Sequence, residues 1–473
     1  MAYINEAKDL KVAPAPSASD DIRVASSSDI ITGDDSHEVF KQADGKVNFR
    51  TVSWIRASAI FLKMLFATGI LSIPSVMYDL GAFPGAVNLV GWCVLNAYGA
   101  IILGNFRTLY PQCHSVADMA QLIGGPMLRE VVGFMFIVTY VITAASGIIG
   151  VSAAFNALSL HSLCTVWFAF ISTIIIAGFA SVRKFSHIGW LTWVGFVSIL
   201  AAVLIVVYVP IPFPNITTTT SLTTPKHRGY RAIGSPTFAA GITASATIFV
   251  SSAATSAFLP VISEMRKPKD YPKAVYLCMS FVTSSYLAFA LVIYAWCGKW
   301  IASPALGSAG TTIKRVAYGI ALPGLIVSGS LYVHVAAKYL FVRILRHSRH
   351  LQANTVVHWG TWLSCTIGLA AIAFILACAI PIFTYVLALV GSLGFAPLAL
   401  CLPGWLWLYS HGEYWKSGGV VKRVVYLLHV LLILLGAFMT VGGTYGVIVQ
   451  IMDAYRDGQI DGVFSCPDNS GST

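Results

Sequence analysis

Charged and apolar residues separate into long blocks along this chain instead of alternating. Lys, Arg, Asp and Glu are missing from residues 80–106, 131–182, 185–225, 232–263, 274–298, 316–337, 350–412 and 424–452. These windows are continuously apolar, which predicts membrane-crossing helices and not barrel strands, whose side chains would alternate. A helix needs about 20 apolar residues to cross the hydrocarbon core. Residues 131–182 exceed one crossing and divide at NALSLHS (156–162), and 350–412 divide near Ala379-Ile380-Pro381. With segment 57–79, which carries one Lys, the pattern predicts eleven helices centred near 68, 95, 143, 172, 199, 250, 285, 328, 369, 395 and 438.

Composition sharpens this picture. The 473 residues are 57% apolar and 10% charged, against about 25% charged in soluble chains. The fold class is therefore an all-α polytopic membrane protein. Residues 1–56 differ from the rest: nine acids and seven bases are interleaved with Ser, Ala and Pro, which reads as a disordered cytoplasmic tail. Residues 57–452 form the transmembrane domain, and 453–473 an extracellular C-terminal tail.

The net charge of +11 reports topology and not nucleic-acid binding. With the N-terminus inside, the inner connections hold fourteen Lys and Arg against seven outside, as the positive-inside rule requires. The sequon at Asn215-Ile216-Thr217 then falls in the longest outer loop, a glycosylation acceptor. Trp190, Trp193, Trp296, Trp300, Trp405 and Trp407 lie near span ends as interfacial anchors.

Soluble-enzyme motifs are absent: the sequence has no GxxxxGK[ST], GxGxxG after a strand, HExxH or CxxC pair. Cys93, Cys278, Cys297, Cys365, Cys378 and Cys401 read as small hydrophobes in spans. Cys164, Cys297 and Cys466 lie near or beyond outer ends, where a disulfide is open to them; free packing thiols are the preferred reading. The segment FLKMLFATGILSIPSVMYDLG (61–81) is apolar enough to cross, yet holds Gly69, Ser72, Pro74 and Ser75 in its middle. Proline removes a backbone donor, so a break is expected there. The sixth span repeats the device with small residues 251–257 and Pro260. Breaks at corresponding positions of two halves point to a transporter binding site.

FATGILSIPSVMYDLG (66–81), FLPVISEMRKPKDYPKAV (258–275) and YPQCHSVADMAQLIGG (110–125) resemble signatures of the amino acid/auxin permease family, nearest its fungal neutral amino acid permeases. The resemblance covers about residues 47–452. It implies a LeuT-like, amino acid/polyamine/organocation-type fold, with a five-plus-five inverted repeat and one extra helix. It also implies proton-coupled uptake of neutral amino acids across the plasma membrane, with the vacuolar membrane as the alternative. No cofactor beyond the coupling H+ is expected. Carried over, the pattern places the substrate carboxylate on backbone amides of Thr68, Gly69, Ile70 and Leu71. Its ammonium would meet carbonyls of Ile248, Phe249, Val250 and Ser251, and its side chain Phe249 and Tyr140.

Lys63 is the one charge well inside a span and no carboxylate is, which disfavours cationic substrates. Its preferred reading is snorkelling to the inner surface; the alternative is a gate or proton-linked partner, with Glu264 as its acid. His334 is a further coupling candidate, although helix packing is the preferred reading for it and for His429. His347, His350 and His358 sit beside Arg343, Arg346 and Arg349 in a loop without acids, an anchor to anionic lipid. Lys8, Lys11, Lys41, Lys46 and Ser26 to Ser28 could serve a ubiquitin ligase or endocytic adaptor. A membrane-embedded amino acid sensor with the same fold and an intramembrane enzyme are the competing classes.

Overall fold

A computed structural model describes residues 52–66, 69–182, 185–208, 229–346, 348–351, 355–416, 419–458 and 462–470. Its first helices are α1 (Trp54–Leu65), α2 (Gly69–Leu80), α3 (Ala82–Leu109), α4 (Val116–Ser159), α5 (Thr165–Ala180) and α6 (Phe185–Tyr208). There follow α7 (Phe238–Ala253), α8 (Leu259–Glu264), α9 (Tyr271–Cys297), α10 (Thr311–Leu345) and α11 (Val356–Ala379). The last group is α12 (Phe383–Leu389), α13 (Leu402–Ser410), α14 (Glu413–Lys416), α15 (Val420–Phe438) and α16 (Thr444–Arg456). Wider π-helical turns join α12 to α13 and α15 to α16.

Among the described residues, eight helical runs are long and apolar enough to cross a membrane. In addition, α1 and α2 form a pair bent by 54°, and α5 and Trp193–Tyr208 are shorter apolar helices. Every predicted centre among the described residues lies inside a helix, and 68 lies outside the described residues. Polar caps set several starts. The Ser53 hydroxyl accepts from Arg56 N–H, Thr237 from Ala240, and Thr355 from His358. Ser115 and Asp118 form a reciprocal capping box at α4, satisfying donors that a helix start leaves free.

Both breaks fall beside the small residues expected to mark them, at Gly69 and within 251–257, but neither falls at its proline. Pro74 sits inside α2, and the first break precedes Gly69. The missing Pro74 N–H removes one helical bond, while Ser72 Oγ to Gly69 O (2.9 Å) and Ser75 Oγ to Ser72 O (2.7 Å) supply side-chain donors to this stretch. In the sixth span, α7 continues to Ala253, a tighter 3₁₀ stretch covers Ala254–Phe258, and Pro260 opens α8. Proline is tolerated in a first turn because that N–H has no helical partner anyway.

Helices α4, α5, α10 and α11 pack on one another, with α6 along α10. At Gly147 a Cβ would stand 2.8 Å from Gly329 Cα, so small residues set the close α4–α10 approach. Residues 462–470 strap the ends of these four helices. Cys466 is disulfide-bonded to Cys164, 302 residues away, at the start of α5. Thr165 Oγ1 donates to Pro467 O (2.6 Å), Asn156 Nδ2 of α4 to Asn469 Oδ1 (2.7 Å), and Phe464 N–H to Cys378 O of α11 (3.2 Å). Asp468 is within electrostatic reach of Lys314 in α10, and Ser470 is fully buried. The disulfide corrects the preference for free thiols at Cys164 and Cys466, since the tail returns over the helix ends. The remaining cysteines are free and mostly buried.

The opposite face corrects the acid-free basic loop. Arg343 pairs with Glu130, and Arg346 Nη1 approaches Asp118 Oδ1 at 3.3 Å. Both acids come from α4, distant in sequence but adjacent in the fold.

After denaturation without reduction, alkylation is expected to label seven of the nine cysteines, leaving the Cys164–Cys466 pair closed. Cys466→Ser should lower the stability of detergent-solubilised protein by about 2–4 kcal/mol, read as an earlier thermal transition. Nine reactive thiols in the unreduced protein would refute the pairing.

Candidate functional site

The two breaks meet. Gly69, first residue of α2, lies so close to Ser251 of α7 that a Cβ on it would be 2.7 Å from Ser251 Cβ. Only glycine permits this approach. The Ser251 hydroxyl donates to Thr247 O (3.1 Å) and lies 3.4 Å from Gly69 O. A small cavity opens beside the crossing, lined by Met64, Leu65, Gly69, Val250, Ser251 and Tyr332, with Thr143, Ala254, Leu387 and Phe395 completing its wall. No charged side chain lines it.

The start of α2 brings backbone N–H groups that have no partner within the helix, and a positive dipole end, to this cavity. The last turn of α7 brings carbonyls left over by helix termination. One cavity thus offers anion-binding and cation-binding backbone within a few ångströms. Its free volume is about 10 Å³, close to the space of one water molecule. An amino acid would need the walls to part.

Intact neighbours hold the broken ends. The Tyr286 hydroxyl of α9 donates to Leu65 O (2.7 Å) and lies 3.4 Å from Ser251 O. Tyr332 of α10 reaches Met64 O at 3.3 Å. Asn96 of α3 donates to Ser252 Oγ (2.8 Å) and Phe249 O (3.3 Å). Sequence reasoning missed Tyr286, Tyr332 and Asn96, because a polar group in an apolar span does not reveal which distant carbonyl it meets.

The predicted site residues separate into groups. Gly69, Val250 and Ser251 line the cavity, while Ile70 and Leu71 are buried just behind Gly69. Thr68 and the sequon Asn215 lie outside the described residues. Phe249 turns its ring onto Trp92 (centroids 5.0 Å apart) and does not line the cavity; Phe395 and Leu387 stand there instead. Ile248 and Phe249 lie within α7 before its last turn. Tyr140 lines a second cavity together with Lys63, Met64, Ser328 and Tyr332, and bonds Ser256 Oγ at 3.0 Å.

Lys63 does not snorkel. It is 8% exposed, its ammonium sits 4.2 Å from the Trp193 ring centroid, and it lines the second cavity. Met64, Ala254 and Tyr332 line both cavities. The electrostatic neighbour of Glu264 is Lys338, not Lys63. His334 packs on Trp362 and places Nδ1 3.1 Å from Ala180 O, the arrangement of a packing histidine.

Two backbone seams flank the site. Val52 N–H donates to Glu264 O (3.0 Å) and Arg266 N–H to Val52 O (2.8 Å), tying the entry of α1 to the exit of α8. At the other end Ala82 N–H donates to Arg231 O (3.0 Å) and Gly234 N–H to Leu80 O (2.8 Å). The segment before α7 is thereby tied to the exit of α2.

Comparison with known proteins follows the same lines. The family described as transmembrane amino acid transporter protein matches residues 50–449. A transmembrane transporter of Gibberella moniliformis is 46% identical over 99% of this chain and 97% of its own length. The N amino acid transport system protein of Neurospora crassa is 27% identical over 89% of this chain and 90% of its own. Among solved structures, inward-facing Mhp1 aligns with a TM-score of 0.52 at 13% identity, covering 92% of this chain and 97% of that one. A Na+-coupled sialic acid symporter aligns with a TM-score of 0.53 at 12% identity, covering 86% and 91%. At such identities the structures show a shared LeuT-like fold and nothing of substrate. By the extent of the family match and the close full-length relative, this chain belongs to the transmembrane amino acid transporter protein family, whose members are transporters and not enzymes.

Proposed function

We propose that this chain imports neutral amino acids by proton symport, alternating access to the cavity between α2 and α7. The observation that carries the reading is the Gly69–Ser251 crossing, where a helix start and a helix end face one uncharged cavity. The substrate carboxylate takes the amides of Gly69 to Leu71; its ammonium takes carbonyls at Val250 and Ser251. Val250, Leu387 and Phe395 form the side-chain wall. Such apolar contacts discriminate by only about 1–3 kcal/mol per methylene, which favours a range of neutral side chains. A cationic substrate would leave its charge without a carboxylate in the lining.

The flanking seams support an inverted repeat of five plus five helices with an eleventh outside it. The segment entering the first span meets the exit of the sixth, and the segment entering the sixth meets the exit of the first. The disulfide supports an extracytoplasmic C-terminus, because disulfides persist in oxidising compartments. Lys63 is the coupling group we favour over Glu264 and His334, since it shares its cavity wall with the substrate site.

One proton crossing about 100 mV supplies about 2.3 kcal/mol, enough for roughly fifty-fold accumulation. Permease-deficient yeast expressing the chain should therefore concentrate labelled neutral amino acids and lose the gradient when a protonophore is added. Accumulation that survives the protonophore and requires sodium would overturn proton coupling. Surface-localised protein that takes up no amino acid would favour the sensor. Lys63→Met should convert uphill uptake to downhill equilibration, so that the accumulation ratio falls from roughly fifty to about one. Undiminished accumulation by that variant would remove Lys63 from the coupling step. Gly69→Leu should reach the surface without transporting, and normal transport by it would displace the site from this crossing.

A further inference from the structure

We infer that Tyr286 is a positioning residue whose hydroxyl stands in for the substrate's ammonium, allowing the substrate-free carrier to close around its two broken helices. This inference rests on the transport reading above and assigns a specific step of the cycle to one side chain.

The need for such a group follows from the breaks themselves. A helix end leaves its last carbonyls without intrahelical donors, and buried carbonyls without partners are costly where water is excluded. At the end of α1 the Phe66 N–H serves Leu62 O at 2.7 Å, and among the described residues Met64 O and Leu65 O take side-chain donors from other helices. Leu65 O takes the Tyr286 hydroxyl at 2.7 Å, and the same hydroxyl lies 3.4 Å from Ser251 O at the end of α7. One fully buried hydroxyl therefore faces both breaks at once. Its ring lies beside Phe66, 5.7 Å between centroids. It projects from α9, which runs unbroken from Tyr271 to Cys297.

A hydroxyl carries one proton and an ammonium carries three. Tyr286 can make one well-directed bond, to Leu65 O, with only a long approach to Ser251 O. A substrate ammonium in the cavity can serve Ser251 O directly and can also reach Leu65 O, because both residues line that cavity. With room for about one water, the cavity is in a collapsed form in which an amino acid does not fit. In that form the Tyr286 hydroxyl is the donor to Leu65 O among the described residues. Loaded transit can draw on substrate for its donors; the return without substrate must draw on protein.

Net uptake requires the return without substrate, whereas exchange of internal for external substrate returns the carrier loaded. Tyr286→Phe in reconstituted vesicles, normalised to incorporated protein, should lower net uptake about tenfold. Exchange against preloaded substrate should stay within about twofold of wild type. Tyr332→Phe, which removes the longer cap on Met64 O, should shift the same ratio in the same direction by less. It carries the test if Tyr286→Phe does not survive purification. Tyr318→Phe is the control: it deletes a buried hydroxyl without a hydrogen-bond partner among the described residues and should leave the ratio unchanged. A proportional fall of both modes in the Tyr286 variant, as a general packing defect would give, overturns the inference while leaving transport standing. The inference is likewise overturned if Tyr332→Phe alone can be measured and keeps the wild-type ratio. Wild-type protein that neither accumulates nor exchanges overturns the transport reading, and the inference falls with it.

Discussion

Inside a bilayer every backbone N–H and C=O must find a partner within the protein, because the hydrocarbon offers none. A continuous helix meets that demand by itself, and a broken one exports it to its neighbours. Here α1–α2 and α7–α8 are the exporters, and the rest of the structure is arranged around satisfying them. Tyr286 and Tyr332 come from intact helices and reach carbonyls at the end of α1, and Asn96 of intact α3 braces the end of α7 through Ser252 Oγ. Ser72 and Ser251 supply hydroxyls from within the broken elements. The groups that remain exposed to the cavity are the start of α2 and the end of α7, which are the groups a zwitterion would use.

Holding two broken helices in register requires a rigid surround. Close α4–α10 packing through Gly147 and Gly329 provides part of it. The tail strap pins the ends of α4, α5, α10 and α11 on one face, and the Asp118, Glu130, Arg343 and Arg346 pairs tie α4 to α10 on the other. The broken helices are attached differently. Short backbone seams at Val52 and at Arg231–Gly234 hold them, a few hydrogen bonds that can part without disturbing the packed core. Breakable seams around a stapled scaffold suit a protein whose cavity must open to admit anything larger than water.

Part of the site was legible in the residue order and part was not. Gly69 and Ser251 were identifiable because runs of small residues with a proline recur at corresponding positions of the first and sixth spans. Pro74 was a misleading guide, since nearby serine hydroxyls offer alternative donors and its effect on the helix is local. Phe249 was assigned to the cavity by its place in the sixth span, but its ring turns toward Trp92. A single residue's rotation about a helix axis is weakly encoded when the helix is apolar on all sides. Lys63 read as a surface-seeking cation because only distance along the chain was available; Trp193 holds it inside.

The sequence by itself determined the class of protein, the positions of its spans and the places where two of them interrupt. Apolar windows and misplaced glycines follow from the solvent, and the solvent acts on each segment independently. Tertiary structure alone decided that the breaks cross at Gly69 and Ser251, that the Tyr286 hydroxyl faces both, and that Cys164 meets Cys466 across 302 residues. Those are contacts between segments far apart in the chain. They depend on how helices rotate and pack, which the hydrophobic pattern of a uniformly apolar helix leaves open.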